Sequence, residues 1–450
     1  MAATVKREMV DEAGAQVGGS EAGPQGQPDS AENGAQADAG GSADRRRRAT
    51  RLQAGVLKAA LADVLGTIEA KNTVPILAHV MIAAGDGRLC LCCTNLDMWA
   101  NRTLATSDRD GPTGSDWVQS IRGFAITVAA KPLAAILGEI DGAAMVTLEL
   151  LDSRLAVSAG RARFKLPTLP ITDFPTPAPM AVEHAFELPC SALADAFAKV
   201  EMAISTEETR YYLNGIFMHV VQDEGEPQWL VLATTDGHRL ARLRLTVPDG
   251  AASWPNVILP RQAVALLDKL LKAAAKGEEK DQPAPQVLVE ASAGGTALRF
   301  SMDAADGGEI ELQTKAIDGT FPDYTRVIPS APEHSLVVER VALGAAVKRV
   351  GVLASDKTRI VKAEISTDRI ELVVITPELG EAREEVPCAY DGPDMTIGFN
   401  GQYLGEALVS TASDEVSLAF TDGMAPTLLR RAGDNVDRDA LVQVVMPVRV

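Results

Sequence analysis

The chain has 450 residues, 46% of them hydrophobic but only 4% aromatic, and a formal net charge of −18. That length allows about two to four domains with aliphatic cores, and the lack of any run of roughly 18 apolar residues argues against a membrane-spanning helix. The acidic balance excludes a general nucleic-acid binder, because duplex phosphates repel an acidic body, unless basic residues are gathered on one surface.

Residues 1–50 contain no Phe, Trp, Tyr, Leu or Ile and end in the basic run Arg45–Arg48. Such a segment cannot bury enough apolar area to offset its ordering entropy, so it reads as a disordered extension. It lacks the apolar stretch of a secretory signal, and its acidic residues do not suit an organelle transit peptide. The five cysteines (Cys90, Cys92, Cys93, Cys190, Cys388) fit a reducing, cytoplasmic setting. Cys90 and Cys92 share one face of a strand-like run and Cys93 takes the other. Buried free thiols are therefore the better reading than a zinc site, and no metal is expected.

The remaining residues repeat weakly. Thr94, Thr235 and Thr376 each end an apolar strand-like run, lead a polar turn, and stand 141 residues apart. Helical periodicity precedes each of them (57–68, 193–204, 343–354) and follows each (131–140, 261–276, 401–408). Pro-rich joints at 172–180 and 328–334 separate the units, giving domains at about 51–182, 183–331 and 332–450. Antiparallel strands with two helices per unit imply an α+β fold. The middle unit holds the most informative stretch. Gly215–Val221 and Trp229–Ala233 read as strands, Thr235–His238 as a tight turn, and Arg239–Leu245 as a half-buried alternating strand. Apolar side chains and arginines meet at this corner.

A search for catalytic groups finds five histidines (His79, His184, His219, His238, His334) and none of the zinc-protease, nucleophile-elbow or phosphate-loop patterns. His238 beside Asp236 is the best acid–base candidate, although a turn histidine packing in a groove is the more ordinary reading. No cofactor is expected. Basic residues collect on the helical stretches. The stretch 261–276 carries Arg261, and its Lys269, Lys272 and Lys276 share one face at about 100° per residue. Lys58, Lys199, Lys348, Arg349, Lys357 and Arg359 occupy corresponding regions or follow them. Ordinary solvated helix faces would look the same.

Four ordered segments carry a resemblance: RYYLNG at 210–215 with ATTDGHRLA at 233–241, NTVPIL at 72–77, DGTFPDY at 318–324, and the terminal VVMPVRV at 444–450. From about residue 51 to the end, the chain resembles the bacterial DNA polymerase III β subunit family, the replicative sliding clamps. The extension before it departs from that family. Arg45–Arg48 then reads either as a solvated basic run or as an auxiliary contact to DNA. The resemblance implies three similar domains per chain and two chains closing a ring with helices inside and sheets outside. Such a ring encircles duplex DNA without sequence readout, has no catalytic activity, and tethers the polymerase III catalytic subunit, the clamp loader and other proteins bearing a clamp-binding motif.

The resemblance also assigns residues. Lys71, Arg210, Tyr211, Tyr212 and Arg326 would contact DNA phosphates, beside Arg261 of the basic helix, which gives affinity while permitting sliding. A client-peptide groove would use Leu213, Thr235, Gly237, His238, Arg239, Leu240, Pro322 and Val327 of the middle domain. From the third domain it would use Asn400, Tyr403, Met424, Pro426, Val444, Val445, Met446, Pro447, Val448 and Arg449. Its apolar members would take hydrophobic side chains, and Arg239, Arg449 and Asn400 would fix the peptide's polar groups. VVMPVRV itself reads as an apolar strand, either lining that groove or closing a core. The polar stretch Thr427–Asp439 is more charged than expected beside a groove. Ring closure would join the edge strand around Phe164 and Leu166 to Arg349, Val352 and Leu353 of the other chain; intramolecular packing is the alternative at these positions.

Overall fold

The computed structural model describes residues 49–69, 71, 73–85, 88–105, 118–120, 124–222, 227–276, 283–355, 359–433 and 440–450. Arg45–Arg48, Asn72 and Lys357 lie outside them. The chain separates into two compact units: residues up to Pro179 together with Ser301–Gln313, and Met180–Phe300 together with Thr314–Val450.

In the first unit the elements run β1 (Ala49–Gln53), α1 (Ala54–Val64), β2 (His79–Gly85), β3 (Arg88–Thr94), β4 (Met98–Ala105), β5 (Val118–Ser120), β6 (Phe124–Ala129), α2 (Ala130–Gly138), β7 (Met145–Leu151), β8 (Arg154–Ala159) and β9 (Ala162–Leu169). The strands line up as β4-β3-β2-β6-β9-β8-β7-β1-β5, with every neighbouring pair antiparallel. Helices α1 and α2 pack on each other, with the turn at Gly142 against Gly55. β3 is buried from Leu89 to Thr94, which explains its run of small thiols: both faces are covered, and Cys90, Cys92 and Cys93 fill them. All five cysteines are buried free thiols, and burial pushes the Cys90 thiol up to about 11. Arg102 of β4, almost fully buried, pairs with Asp63 at 3.2 Å and also with Asp306. The segment Glu309–Gln313, part of strand β17 below, lies beside β4.

The second unit contains β10 (Val182–Pro189), α3 (Cys190–Val200), β11 (Gly215–Gln222), β12 (Gln228–Thr235), β13 (Arg239–Thr246), β14 (Val257–Pro260), α4 (Arg261–Ala275) and β15 (Gln286–Ser292). Strands β16 (Ala297–Asp303) and β17 (Glu309–Lys315) follow. Then come β18 (His334–Glu339), α5 (Arg340–Val350), β19 (Ile360–Ser366), β20 (Arg369–Thr376), β21 (Gly380–Ala389), β22 (Met395–Asn400), α6 (Gly401–Thr411), β23 (Glu415–Phe420), β24 (Thr427–Arg431) and β25 (Leu441–Val445). Twelve strands form one sheet in the order β14-β11-β12-β13-β25-β24-β23-β18-β21-β20-β19-β22. Helices α3 and α4 pair, as do α5 and α6.

Each helix starts for a local reason. α3 and α4 follow a proline that sets an extended entry. The Glu339 carboxylate accepts from Val341 N and Ala342 N ahead of α5, and Asn400 Oδ1 accepts from Gln402 N (3.0 Å) and Tyr403 N (3.3 Å) ahead of α6. The apolar stripe of α4 (Val264, Leu267, Leu270, Leu271, Ala274) is buried, and Lys269, Lys272 and Lys276 are exposed.

The repeat seen in the sequence is a repeat of hairpins. Thr94, Thr235 and Thr376 are the last residues of β3, β12 and β20, and the return strand begins four residues later each time, at Met98, Arg239 and Gly380. Each turn needs a left-handed residue: Leu96 (φ 78°), Gly237 (φ 87°) or Gly380 (φ 103°).

Candidate functional site

The middle-domain corner is built by one carboxylate. Asp236 Oδ1 accepts from the backbone N–H of His238 (2.9 Å) and of Arg239 (3.0 Å), and its Oδ2 takes Arg239 Nε at 3.0 Å. Thr235 Oγ1 donates to Arg239 O at 2.8 Å and accepts Gly237 N at 3.1 Å. Asp236 is thus spent on the turn: its carboxylate takes these N–H groups and the Arg239 guanidinium. His238 instead stacks on Tyr403, with ring centroids 6.3 Å apart and 24° between planes.

Beside this corner β13 pairs antiparallel with β25, matching Leu240 to Val444 and Arg239 to Val445. Leu213, Leu240 and Val444 are buried in one cluster with Phe321 and Tyr324, and Met446 packs partly against it. These residues form the floor, so Leu213, Leu240 and Val444 act through shape from beneath, whereas Val445, next along β25, is buried in the separate core cluster with Leu404 and Leu408. Around the floor lie exposed or half-buried apolar groups: Tyr211, Pro322, Val327, Met424 and Pro426. Pro426 directly precedes Thr427, which pairs with Val445. The result is an apolar floor with an apolar, open rim, suited to a short hydrophobic segment.

The tail differs from the expected continuous strand. Regular pairing stops at Val445. Met446 N donates to His238 O (2.9 Å), Pro447 has no N–H to give, and Val448 N donates to Gly398 O (2.9 Å). A Cβ at position 398 would collide with the Val448 carbonyl, so the tail crosses β22 at a glycine. Arg449 and Val450 are exposed. Of the three polar groups expected to meet a peptide, Arg449 is open. Asn400 has its Oδ1 committed to capping α6, and Arg239, 8% exposed, is held by Asp236 and Glu406 under the Tyr403 ring, 4.3 Å from its centroid. Glu406 gave no signal in the sequence beyond an i, i+4 relation to Gln402.

The residues expected at DNA are exposed or half-buried. Arg210, Tyr211 and Tyr212 lie in the 3-10 segment Glu208–Leu213, Arg326 in Tyr324–Val327, Arg261 at the first position of α4, and Lys71 before Pro75–Ala78. Arg210 does not reach out freely. It pairs with Glu207 at 2.8 Å, holding that carboxyl below the usual carboxylate range, and its Nη1 would lie 2.6 Å from a Cβ at Gly237. Tyr212 likewise covers Gly319. Arg210 thus sits against the Gly237 turn, and the pair Tyr211 and Tyr212 against Gly319.

Family models of the DNA polymerase III beta subunit match the chain in series: the N-terminal domain over 51–178, the central domain over 187–323 and the C-terminal domain over 325–449. The chain belongs to the DNA polymerase III beta subunit family. The beta sliding clamp of Caulobacter vibrioides is 36% identical over 403 residues, covering 89% of this chain and 99% of that protein. The clamp of Pseudomonas putida is 30% identical over 399 residues, with the same two coverages, 89% and 99%. A Bartonella birtlesii sliding clamp, solved bound to griselimycin, superposes with a TM-score of 0.79 at 34% identity, covering 90% of this chain and all of that one. This sliding clamp therefore has three beta-clamp domains and serves polymerase processivity, a role without catalysis of its own.

Two strands inside the sheets meet one of their two neighbours at only two residues. β9 pairs with β8 from Ala162 to Pro167 but meets β6 only at Thr168 and Leu169. β21 pairs with β20 along Gly380–Pro387 but meets β18 only at Cys388 and Ala389. Phe164 and Leu166 sit half-buried on the first edge. Near the second, Val352, Ile375 and Leu379 are 75%, 65% and 58% exposed, and Arg349 pairs with Glu384 of β21. Leu353 is half-buried, its carbonyl taken by Thr376 Oγ1 at 3.1 Å. The exposure of the β21 edge is signalled in the sequence by the charged alternation GEAREEVPCA.

Proposed function

We propose that two copies of this chain close a head-to-tail ring around duplex DNA, and that the corner beside the C-terminal tail is where the polymerase III catalytic subunit, the clamp loader and other motif-bearing clients dock. The observation that carries the ring is this pair of half-open edges. The three return strands β4, β13 and β21 are equivalent. β4 is flanked by β17 and β13 by β25, whereas β21 has an open side and β9 an unmatched one. Pairing β21 of one chain with β9 of the other satisfies both edges twice, which is how a head-to-tail contact closes. The chemistry agrees. The β9 region carries Arg161, Arg163 and Lys165, and β21 carries Glu381, Glu384 and Glu385. Phe164, Leu166, Val352 and Leu353 supply apolar area at that joint, and Arg349 orients Glu384.

The domains of this reading run 51–182, 183–331 and 332–450, in a cytoplasmic protein. Lys71, Arg210, Tyr211, Tyr212, Arg261 and Arg326 meet phosphates, and the ring holds DNA by topology, so no tight binding is required. Client peptides set apolar side chains over Leu213, Leu240 and Val444, against Pro322, Val327, Met424, Pro426, Met446 and Pro447. Thr235, Gly237 and His238 form one wall and Asn400, Tyr403, Val448 and Arg449 the other. The deciding experiment loads the chain with a bacterial clamp loader and ATP onto nicked circular DNA and then linearises the circle. Retention on the circle with loss on linearisation supports the ring. Retention that ignores linearisation and falls only with salt overturns it.

A further inference from the structure

We infer that Glu406 is a positioning residue for the client groove: without touching a client, it fixes Arg239 from behind and so sets the plane of Tyr403. The inference rests on the groove reading above and adds what holds that groove in shape.

The argument begins with an expensive charge. Arg239 opens β13 and is nearly buried, so its guanidinium requires compensation on more than one side. Asp236 supplies one carboxylate from within the same turn, through Oδ2 at 3.0 Å. The other comes from Glu406, in the third domain's α6, which bonds Arg239 Nη1. Glu406 is itself held: Gln402, one helical turn earlier, donates Nε2 to its Oε1 at 2.7 Å. Between them on α6 lies Tyr403, whose ring centre is 4.3 Å from the Arg239 guanidinium carbon. The sequence of supports is Gln402, Glu406, Arg239, Tyr403, His238, and only the last two border the open groove.

Two consequences separate Glu406 from an ordinary surface carboxylate. Arg239 belongs to the middle domain and Glu406 to the third, so this ion pair ties the two walls of the groove together. And Arg239 is not a free donor waiting for a peptide; it is a fixed cation that a tyrosine lies on. Neutralising Glu406 leaves Arg239 with Asp236 alone and free to swing from under the ring, which lets Tyr403 leave its plane.

The test measures binding of the purified polymerase III catalytic subunit to the full-length chain by surface plasmon resonance. Glu406→Gln keeps the shape and removes the charge, and is expected to weaken binding about 5- to 10-fold. In a Tyr403→Leu background the same change is expected to add less than about twofold, because the ring it acts through is gone. Glu406→Asp keeps the charge and is expected to stay within about twofold of the parent. Unchanged binding in Glu406→Gln, an equal loss in both backgrounds, or a Gln-like loss in Glu406→Asp overturns the inference. Deletion of Met446–Val450 runs alongside: if that deletion leaves binding intact, the groove reading fails and the inference falls with it. A deletion that abolishes binding while Glu406→Gln does nothing overturns the inference alone.

Discussion

β13 and β21 are the same strand of the repeat with opposite fates. Both return from a turn led by threonine, at Thr235 and Thr376. On its far side β13 meets β25 along Arg239–Leu243, and its residues from Arg239 to Leu243 are buried. β21 meets no second strand until Cys388, and its side chains alternate between half-buried and exposed from Gly380 to Glu385. The sequences suit the fates. RLARLRLT offers apolar area to a covering strand, whereas GEAREEVPCA studs a bare edge with charges, which keeps it from pairing with arbitrary chains. One hairpin thus serves as an internal joint and, with different side chains, as the proposed intermolecular one.

Placing a carboxylate on each kind of joint sharpens the contrast. Val445 is fully buried where β25 meets β13. Val445→Asp is expected to cost roughly 4 kcal/mol of folding stability, read as a large drop in melting temperature. Leu166→Asp and Val352→Asp, on the open edges, are expected to leave melting of the single chain almost unchanged but to weaken the dimer about 100-fold in sedimentation velocity. A dimer that survives both edge changes at submicromolar concentration would remove β9 and β21 as the joint.

Much of this was legible in the sequence, for identifiable reasons. The expected helix 261–276 is α4 at Arg261–Ala275, because its apolar residues recur at helical spacing and Pro260 sets its start. The turn at Thr235 was legible because Asp and Gly have few alternatives there. The tail was read as a strand through its last residue because valines dominate it, but regular pairing ends at Val445, where Pro447 and the crossing at Gly398 redirect the chain. Arg239 was expected to face a peptide. Its burial under Tyr403 depends on Glu406, 167 residues away, and no local pattern announces a partner so distant. The open edge of β21 was half legible: the charged alternation GEAREEVPCA marks an exposed strand, but whether a strand has one neighbour or two is a property of the sheet.

The two turns can be compared by the same substitution. Gly237 and Gly380 both have positive φ, 87° and 103°. A Cβ at Gly380 meets open space, so Gly380→Ala pays only for backbone strain, about 1 kcal/mol. A Cβ at Gly237 also meets Arg210 Nη1 at 2.6 Å. Gly237→Ala is expected to cost roughly 2 kcal/mol and, by displacing Arg210 from Glu207, to alter client binding as well. Equal melting temperatures for the two variants would mean that Arg210 moves aside freely.

The smallest effect separates the two regions by pH. The side of the sheet covered by Phe321 and Tyr324 contains His219, stacked on Phe217 and bonded through Nε2 to the Tyr324 hydroxyl at 3.0 Å. Burial pushes this imidazole down to about 4. Between that value and the ordinary histidine pKa near ~6.5 the unfolded chain takes up a proton that the folded chain refuses. Stability is therefore complete above about pH 6.5 and declines as pH falls toward 4, by roughly 1 kcal/mol once the partial exposure of the ring is allowed for. On the open edge the Glu384 carboxyl is held below its usual range by Arg349, so that ion pair keeps its charge through the same window. Acidification from pH 7 to 5 should then lower the melting temperature while leaving the Arg349–Glu384 pair at the proposed dimer joint ionised. In His219→Phe the decline over that interval should flatten; an unchanged slope would assign it to other groups.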